Sequence, residues 1–295
     1  MPATGSPDVV QIVRELAGAY ASLGLSDLGA GAVVIDSPTL ERLRGATLDP
    51  GRARTLREDL VRWLRSKNQF VAIDADTEEE IESALVRLAG EVGASPLGAA
   101  QDALDDALDG LASVIRASLG GAPREVIASE YAPDVQLAVL GLRLSDVTSP
   151  VLDIGCGSKA LLVRYLRTLG RDATGIDRDA PDDATRADWL TFDYAAAPWR
   201  TVLSHLGFSL HFLRAHRASE ADARKYAETY IRITRALAPT GVFAYAPSLP
   251  FFESVLPKER FLIEHHRIQG GETLESLRKT SGLDLAEATR LTRLP

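Results

Sequence analysis

Apolar residues recur with a helical period over residues 7–23 and predict an amphipathic helix. The β-branched run from Ala32 to Ile35 predicts a short strand, and Ser37-Pro38 opens a second helix, with Ser suited to the cap and Pro to the first turn. Residues 52–66 place Leu56, Leu60, Trp63 and Leu64 on one helical face. Phe70 to Ile73 predicts a strand. Thr77 then caps a helix to about Ala89, with Glu78, Glu79 and Glu80 in its first turn near the positive end of the dipole. A further helix over 98–118 carries Leu104, Leu108, Leu111 and Ile115 at helical spacing. Asp102, Asp105, Asp106 and Asp109 surround that stripe and read as a solvated face rather than a metal site.

Gly120-Gly121-Ala122-Pro123 breaks the helical pattern and acts as a hinge. It divides a mainly helical α+β domain over 1–120 from a second domain over 121–295. Beyond it strands and helices alternate, the signature of an α/β fold with a mostly parallel sheet.

The densest signal is residues 150–177, PVLDIGCGSKALLVRYLRTLGRDATGID. Val151 to Ile154 is an apolar strand interrupted by Asp153. Gly155-Cys156-Gly157 is a tight turn, Ser158 to Leu169 a helix, and Ala173 to Ile176 a second strand closed by Asp177. Such a βαβ unit lets backbone approach a ligand at the glycines and at the helix N-terminus. A carboxylate at the tip of the second strand can accept both hydroxyls of a ribose.

Gly155-x-Gly157-x-x-Ala160 with Asp177 also fits a dinucleotide fingerprint. Three features favour S-adenosylmethionine over a nicotinamide cofactor. Asp153 stands where a dinucleotide-binding strand is normally apolar. Asp188-Trp189 follows the second strand at a distance suited to an adenine pocket. The unit also lies after a helical segment rather than opening the chain.

On these residues the chain resembles the class I S-adenosylmethionine-dependent methyltransferases over about 125–295. VLDIGCG, TGID, ADW, TVLSHLGF and ALAPTGVFAYAP fall in the family's order. The resemblance implies a Rossmann-like sheet of seven strands, six parallel and one antiparallel. It implies that Asp153, Gly155 and Gly157 face the methionine part of the cofactor. Asp177 then binds the ribose, and Asp188 with Trp189 lines the adenine. Ser204 and His205 end strand four, Val202 to Leu206, facing the methyl donor. Tyr226 to Leu237 is the following helix, and Gly241 to Tyr245 is strand five after a turn at 238–241. Tyr131, in Ser129-Glu130-Tyr131-Ala132-Pro133, matches the family's N-terminal lid and can cover a sulfonium through its ring face. Lys159 departs from the pattern, since a third glycine often stands there.

Methyl transfer depends mainly on proximity and orientation. An oxygen or nitrogen nucleophile is helped by a base, for which His205 and His211 are the candidates. His216 reads as exposed. His265-His266 lies in a late strand, where only one of the pair can face inward. Cys156 has no base near it and reads as structural. Pro247 to Phe252 can line an apolar acceptor pocket with Phe251 and Phe252, or pack in the core.

Composition narrows the partners. Of 295 residues, 33 are Lys or Arg and 41 Asp or Glu, a net charge of −8. The excess of acid lies before residue 150, and all five histidines lie after residue 200. An acidic first half argues against nucleic acid and offers a docking surface for a homodimer or a basic partner. No apolar run is long enough for a membrane span and no signal peptide is read. The single cysteine, Cys156, excludes an intrachain disulfide, and no metal site is expected. These features lead to the expectation of a cytoplasmic enzyme methylating a small molecule, O- or N-directed, in specialised metabolism. The alternatives are the same fold used for elimination or cyclisation, a non-catalytic partner subunit, or a nicotinamide-dependent oxidoreductase.

Overall fold

The structure is a computed structural model of the chain. It describes residues 41, 48–67, 69, 71, 73–96, 99–118, 131–268 and 285–295. The chain divides into two compact units, Met1–Ala128 and Ser129–Pro295. The expected helix over 7–23, the strand at 32–35 and the helix opening at Ser37-Pro38 lie outside the described residues.

In the first unit, the described residues include helices α1 (Pro50–Lys67), α2 (Ala75–Ala94) and α3 (Ala100–Ser118). Their apolar stripes converge on Leu56, Val61, Leu64, Ile81, Leu85, Leu111 and Ile115. Asp74, not Thr77, caps α2: its carboxylate accepts the Thr77 N–H at 2.8 Å. An aspartate there satisfies a free N–H and adds a favourable charge at the positive helix end. Val71 and Ile73, expected in a strand, are buried in the core of these helices, and the other residues of that expected strand lie outside the described residues.

The second unit opens with helix α4 (Pro133–Val139), followed by β1 (Val151–Ile154), α5 (Leu161–Thr168), β2 (Ala173–Asp177) and β3 (Thr185–Arg186). Then come β4 (Trp199–His205), α6 (Phe208–Ala218), α7 (Glu220–Ala236), β5 (Leu237–Ala246) and α8 (Pro250–Glu253). The last strands are β6 (Phe261–Arg267) and β7 (Glu287–Arg293). The strand order is β3-β2-β1-β4-β5-β7-β6. Neighbours from β3 to β5 are parallel, and β7 is antiparallel to both β5 and β6. Six strands therefore share one direction and β7 alone opposes them.

The boundaries differ from expectation for local reasons. Helix α5 starts at Leu161 rather than Ser158 because Ala160 holds a left-handed φ of 46° and lengthens the loop. Helix α7 starts at Glu220, where the Ser219 hydroxyl caps the Asp222 N–H. Strands β4 and β5 start earlier than expected because Trp199 pairs with Leu237 ahead of an irregularity that absorbs the expected turn at 238–241. The apolar face of the sheet packs Phe208, Phe212, Tyr230, Phe243, Tyr245 and Leu291 into one core.

The order of strands reverses at β1, which has β2 on one side and β4 on the other. In parallel α/β sheets ligands bind at the carboxyl ends of strands beside such a reversal. Gly155 and His205 stand at those two strand ends.

Candidate functional site

The loop after β1 is folded back onto β2. The Gly155 and Cys156 N–H groups both donate to the Ile176 carbonyl, at 2.8 and 3.2 Å. Gly155 has φ 82° and Gly157 φ 74°, a region that side chains disfavour, so both glycines are required by the backbone. The turn is closed by Asp177, whose Oδ2 accepts the Gly157 N–H at 3.1 Å and whose Oδ1 accepts the Asp179 N–H at 2.9 Å. Burial raises the Asp177 carboxyl above its ordinary range, against the pull of these two bonds.

Asp153 lies within β1 between Gly175 and Leu203 and is buried. Its Oδ2 has no hydrogen-bond partner among the described residues. Burial, with a smaller contribution from the Asp177 charge, pushes its carboxyl up to about 7. An unpaired buried carboxyl oxygen is costly, which makes this one a candidate ligand contact.

Cys156 is a free thiol in the buried interior. Burial and the Asp153 charge raise its thiol, keeping it protonated at neutral pH. It serves packing: a Cβ on Gly175 would lie 2.8 Å from both Cys156 Sγ and Val163 Cγ2. Gly175→Ala is therefore expected to destabilise the second unit by about 1–3 kcal/mol, the usual cost of overpacking, as read by urea denaturation.

Ser204 stands near the end of β4, as expected. Its hydroxyl donates to the Ile154 carbonyl at 2.9 Å and accepts the Phe208 N–H at 2.9 Å. Fully buried, it staples β1 to β4 and starts α6. Asp188 is exposed, and its Oδ1 accepts the Leu190 N–H at 2.8 Å, closing an Asx turn. Trp189 turns inward. It is 9% exposed, its ring edge lies over Gly155, and it meets His211 at 5.1 Å and Phe208 at 6.5 Å between ring centroids. Arg232 of α7 holds this loop by donating to the Phe192 carbonyl at 3.0 Å and to the Leu190 carbonyl. Sequence reasoning missed Arg232, because its acceptors are backbone atoms some forty residues away.

His205 and Tyr131 come together, with ring centroids 4.9 Å apart and planes at 72°. Tyr131 lies just ahead of α4, where its carbonyl accepts the Gln136 side-chain amide at 2.7 Å. The Tyr131 hydroxyl and His205 Nε2 are both buried without a partner among the described residues. Burial lowers His205 to about 4, and burial with the Arg178 and Arg214 charges lowers His211 to about 3. Both imidazoles are neutral at pH 7. They suit accepting a hydrogen bond better than strong base catalysis, which favours a value near the working pH.

The remaining histidines are elsewhere. His216 is exposed and stacks on Phe251, with centroids 3.8 Å apart. His265 and His266 point to opposite faces of β6: His265 Nε2 lies 2.7 Å from Glu253 Oε2, and His266 packs beside Gly141. Phe251 and Phe252 pack against Phe212, so much of their surface belongs to the core. No group of three or more metal-ligating side chains occurs among the described residues. No helix among them is long and apolar enough to cross a membrane.

The strand order and the glycine turn define the second unit as a Rossmann-like domain with the seven-stranded topology of the class I methyltransferases. No family model and no curated protein sequence matches the chain. Among solved structures, the chain is similar to the plantazolicin methyltransferase BpumL, at 16% identity over 55% of this chain and 83% of that one, TM-score 0.36. It is also similar to the N-methyltransferase NodS from Bradyrhizobium japonicum WM9, at 16% identity over 55% and 91%, TM-score 0.34. TrmN from Thermus thermophilus is similar at 14% identity over 76% and 80%, TM-score 0.39.

Proposed function

We propose that the chain is an S-adenosylmethionine-dependent methyltransferase acting on an oxygen or nitrogen of a small molecule. One observation carries this reading: the partnerless buried carboxyl oxygen of Asp153 lies in β1, just ahead of a glycine turn that Asp177 closes, at the reversal of strand order. This set suits an amino-acid and ribose ligand. Glycine backbone permits close approach, and Asp177 retains lone pairs for two hydroxyls beyond its two backbone bonds.

When bound, the cofactor supplies an electrophilic sulfonium methyl group. Asp153, Gly155 and Gly157 would hold its methionine part, Asp177 its ribose, and Trp189 would border its adenine. The Tyr131 ring supplies an electron-rich face for a cation. His205 is the candidate catalytic residue. Its neutral imidazole accepts a hydrogen bond from the acceptor's hydroxyl or amine and aligns the lone pair for in-line attack. His211 abuts Trp189 and shapes the same wall. The acidic first half fits a lid, substrate-binding or docking role, and the composition fits a cytoplasmic enzyme of specialised metabolism.

Calorimetry with S-adenosylmethionine and S-adenosylhomocysteine tests the reading. Binding of both by folded protein is expected, and binding of neither would overturn it. With an acceptor in hand, intact-mass analysis distinguishes the reactions. Gain of one methyl group supports transfer, whereas an unchanged or fragmented skeleton supports elimination or cyclisation on the same fold.

A further inference from the structure

A buried carboxyl group with several partners lies outside this site. Glu253, the last residue of α8, is 5% exposed. Its Oε1 accepts three hydrogen bonds: from the Tyr245 hydroxyl at 2.6 Å, the Leu249 N–H at 2.7 Å and the Thr289 hydroxyl at 2.7 Å. Its Oε2 meets His265 Nε2 at 2.7 Å. Tyr245 donates to Glu253, so the Tyr230 hydroxyl, 2.8 Å away, donates to Tyr245. One carboxylate thus ties the segment after β5 to three strands, β5, β7 and β6.

Register explains the convergence. Tyr245 pairs with Thr289 and Thr289 with His265, so their side chains leave one face of the sheet in a row. Glu253 reaches down onto that row from α8. His265 Nε2 is placed to donate to Oε2 when that nitrogen carries the hydrogen. The carboxylate fixes both the tautomer and the ring orientation.

The segment that Glu253 anchors also touches the helix after β4. The Phe252 ring packs 5.2 Å from Phe212 and 4.9 Å from Tyr230, and Phe251 packs 5.2 Å from Phe212. Phe212 directly follows His211 on α6, and His211 meets Trp189. A packed chain therefore runs from Glu253 through two aromatic rings to the histidine side of the candidate site.

We propose that Glu253 is a positioning residue for that site. It clamps the segment 247–256 onto the sheet and, through Phe251 and Phe252, sets the placement of α6 with His211. In this role the segment is the wall on the acceptor side, an assignment that rests on the methyltransferase reading. His265 is the solvent-facing arm of the clamp, with 42% of its side chain exposed.

The test compares the full chain with Glu253→Ala and Glu253→Gln. Amide hydrogen exchange is read over 247–256 and 208–213, and His265 ring ¹⁵N shifts are read by NMR. The wild type is expected to show the Nε2–H tautomer. Glu253→Ala is expected to raise exchange in both segments by about tenfold or more while β1 and β2 stay protected. Glu253→Gln keeps an acceptor oxygen for the three donors, turns its amide N–H toward His265, which then accepts at Nε2 as the Nδ1–H tautomer, and is expected to return both segments to within about threefold of wild type. Unchanged exchange in Glu253→Ala, no recovery in Glu253→Gln, or the Nδ1–H tautomer in the wild type overturns the proposal. If Glu253→Ala does not fold, Thr289→Ala removes one of the three donors. Faster exchange confined to 247–256 and 208–213 then supports the clamp, and unchanged exchange overturns it. S-adenosylhomocysteine calorimetry on the wild type is run alongside. Its failure removes the functional reading, while the exchange data alone decide the clamp.

Discussion

Asp177→Ala is expected to weaken S-adenosylhomocysteine binding by about a hundredfold or more. A ligand ribose would place two hydroxyls on this carboxylate, and hydrogen bonds to a charged group contribute about 1.5–3 kcal/mol each. The substitution also strips the Gly157 and Asp179 N–H groups of their acceptor, loosening the turn that contacts the ligand. Asp177→Asn separates the two effects, because its amide oxygen can still accept one backbone N–H. His205→Ala is expected to change affinity by less than about threefold and to lower turnover more than any change at Asp177, since its role is to orient the acceptor. Calorimetry gives the affinities and single-turnover methyl transfer gives the rates. Were His205→Ala the variant that abolished binding, both role assignments would fall.

Asp153 carries the second large effect, in stability against pH. Its carboxyl has an ordinary value of 3.8 and is raised to about 7 in the folded chain. Between these values the folded chain keeps a proton that the unfolded chain has released. The contribution is fully present below about pH 4 and is lost as pH rises through 7, to at most about 4 kcal/mol. His205 and His211 act in the opposite sense. Their lowered values mean that the unfolded chain binds more protons between about pH 4 and 6.5, so stability from them rises with pH. The whole-protein profile mixes these slopes, and comparison with Asp153→Asn isolates one. The variant is expected to gain on wild type by up to about 4 kcal/mol between pH 4 and pH 8 in urea denaturation. Parallel profiles for the two proteins would show that burial at Asp153 does not carry this effect.

The cofactor-side geometry was legible because it is local. Strand, glycine turn, helix, strand and closing aspartate occupy 150–177, so spacing alone placed Gly155, Gly157 and Asp177 together. The strand order of the sheet was reachable only through resemblance, since nothing in a single strand names its neighbour. Ser204 and Asp188 illustrate a different limit. Each is a polar residue at the expected place, and the backbone bonds each also makes depend on the next turn of chain. Ser204 bonds Phe208 and Ile154, and Asp188 bonds Leu190.

His205 and His211 show that position and electrostatics are separate questions. Their location after β4 followed from the motif order. Their neutral state follows from enclosure by groups distant in sequence, among them Tyr131 and Trp189. Glu253 was invisible for the same reason. It sits in an apolar stretch, PFFE, and its partners lie on β5, β6 and β7.

By itself the sequence determined the glycine turn, the acidic strand ends and the alternation of strands and helices. Steric freedom at glycine and hydrophobic period act over a few residues, so they can be read along the chain. The tertiary structure alone decided which polar groups are spent on the fold and which stay unpaired. That choice depends on burial and on partners brought together by the sheet. It left Asp153, His205 and Tyr131 with unsatisfied atoms beside the strand reversal, and it bonded Glu253 to residues of β5, β6 and β7.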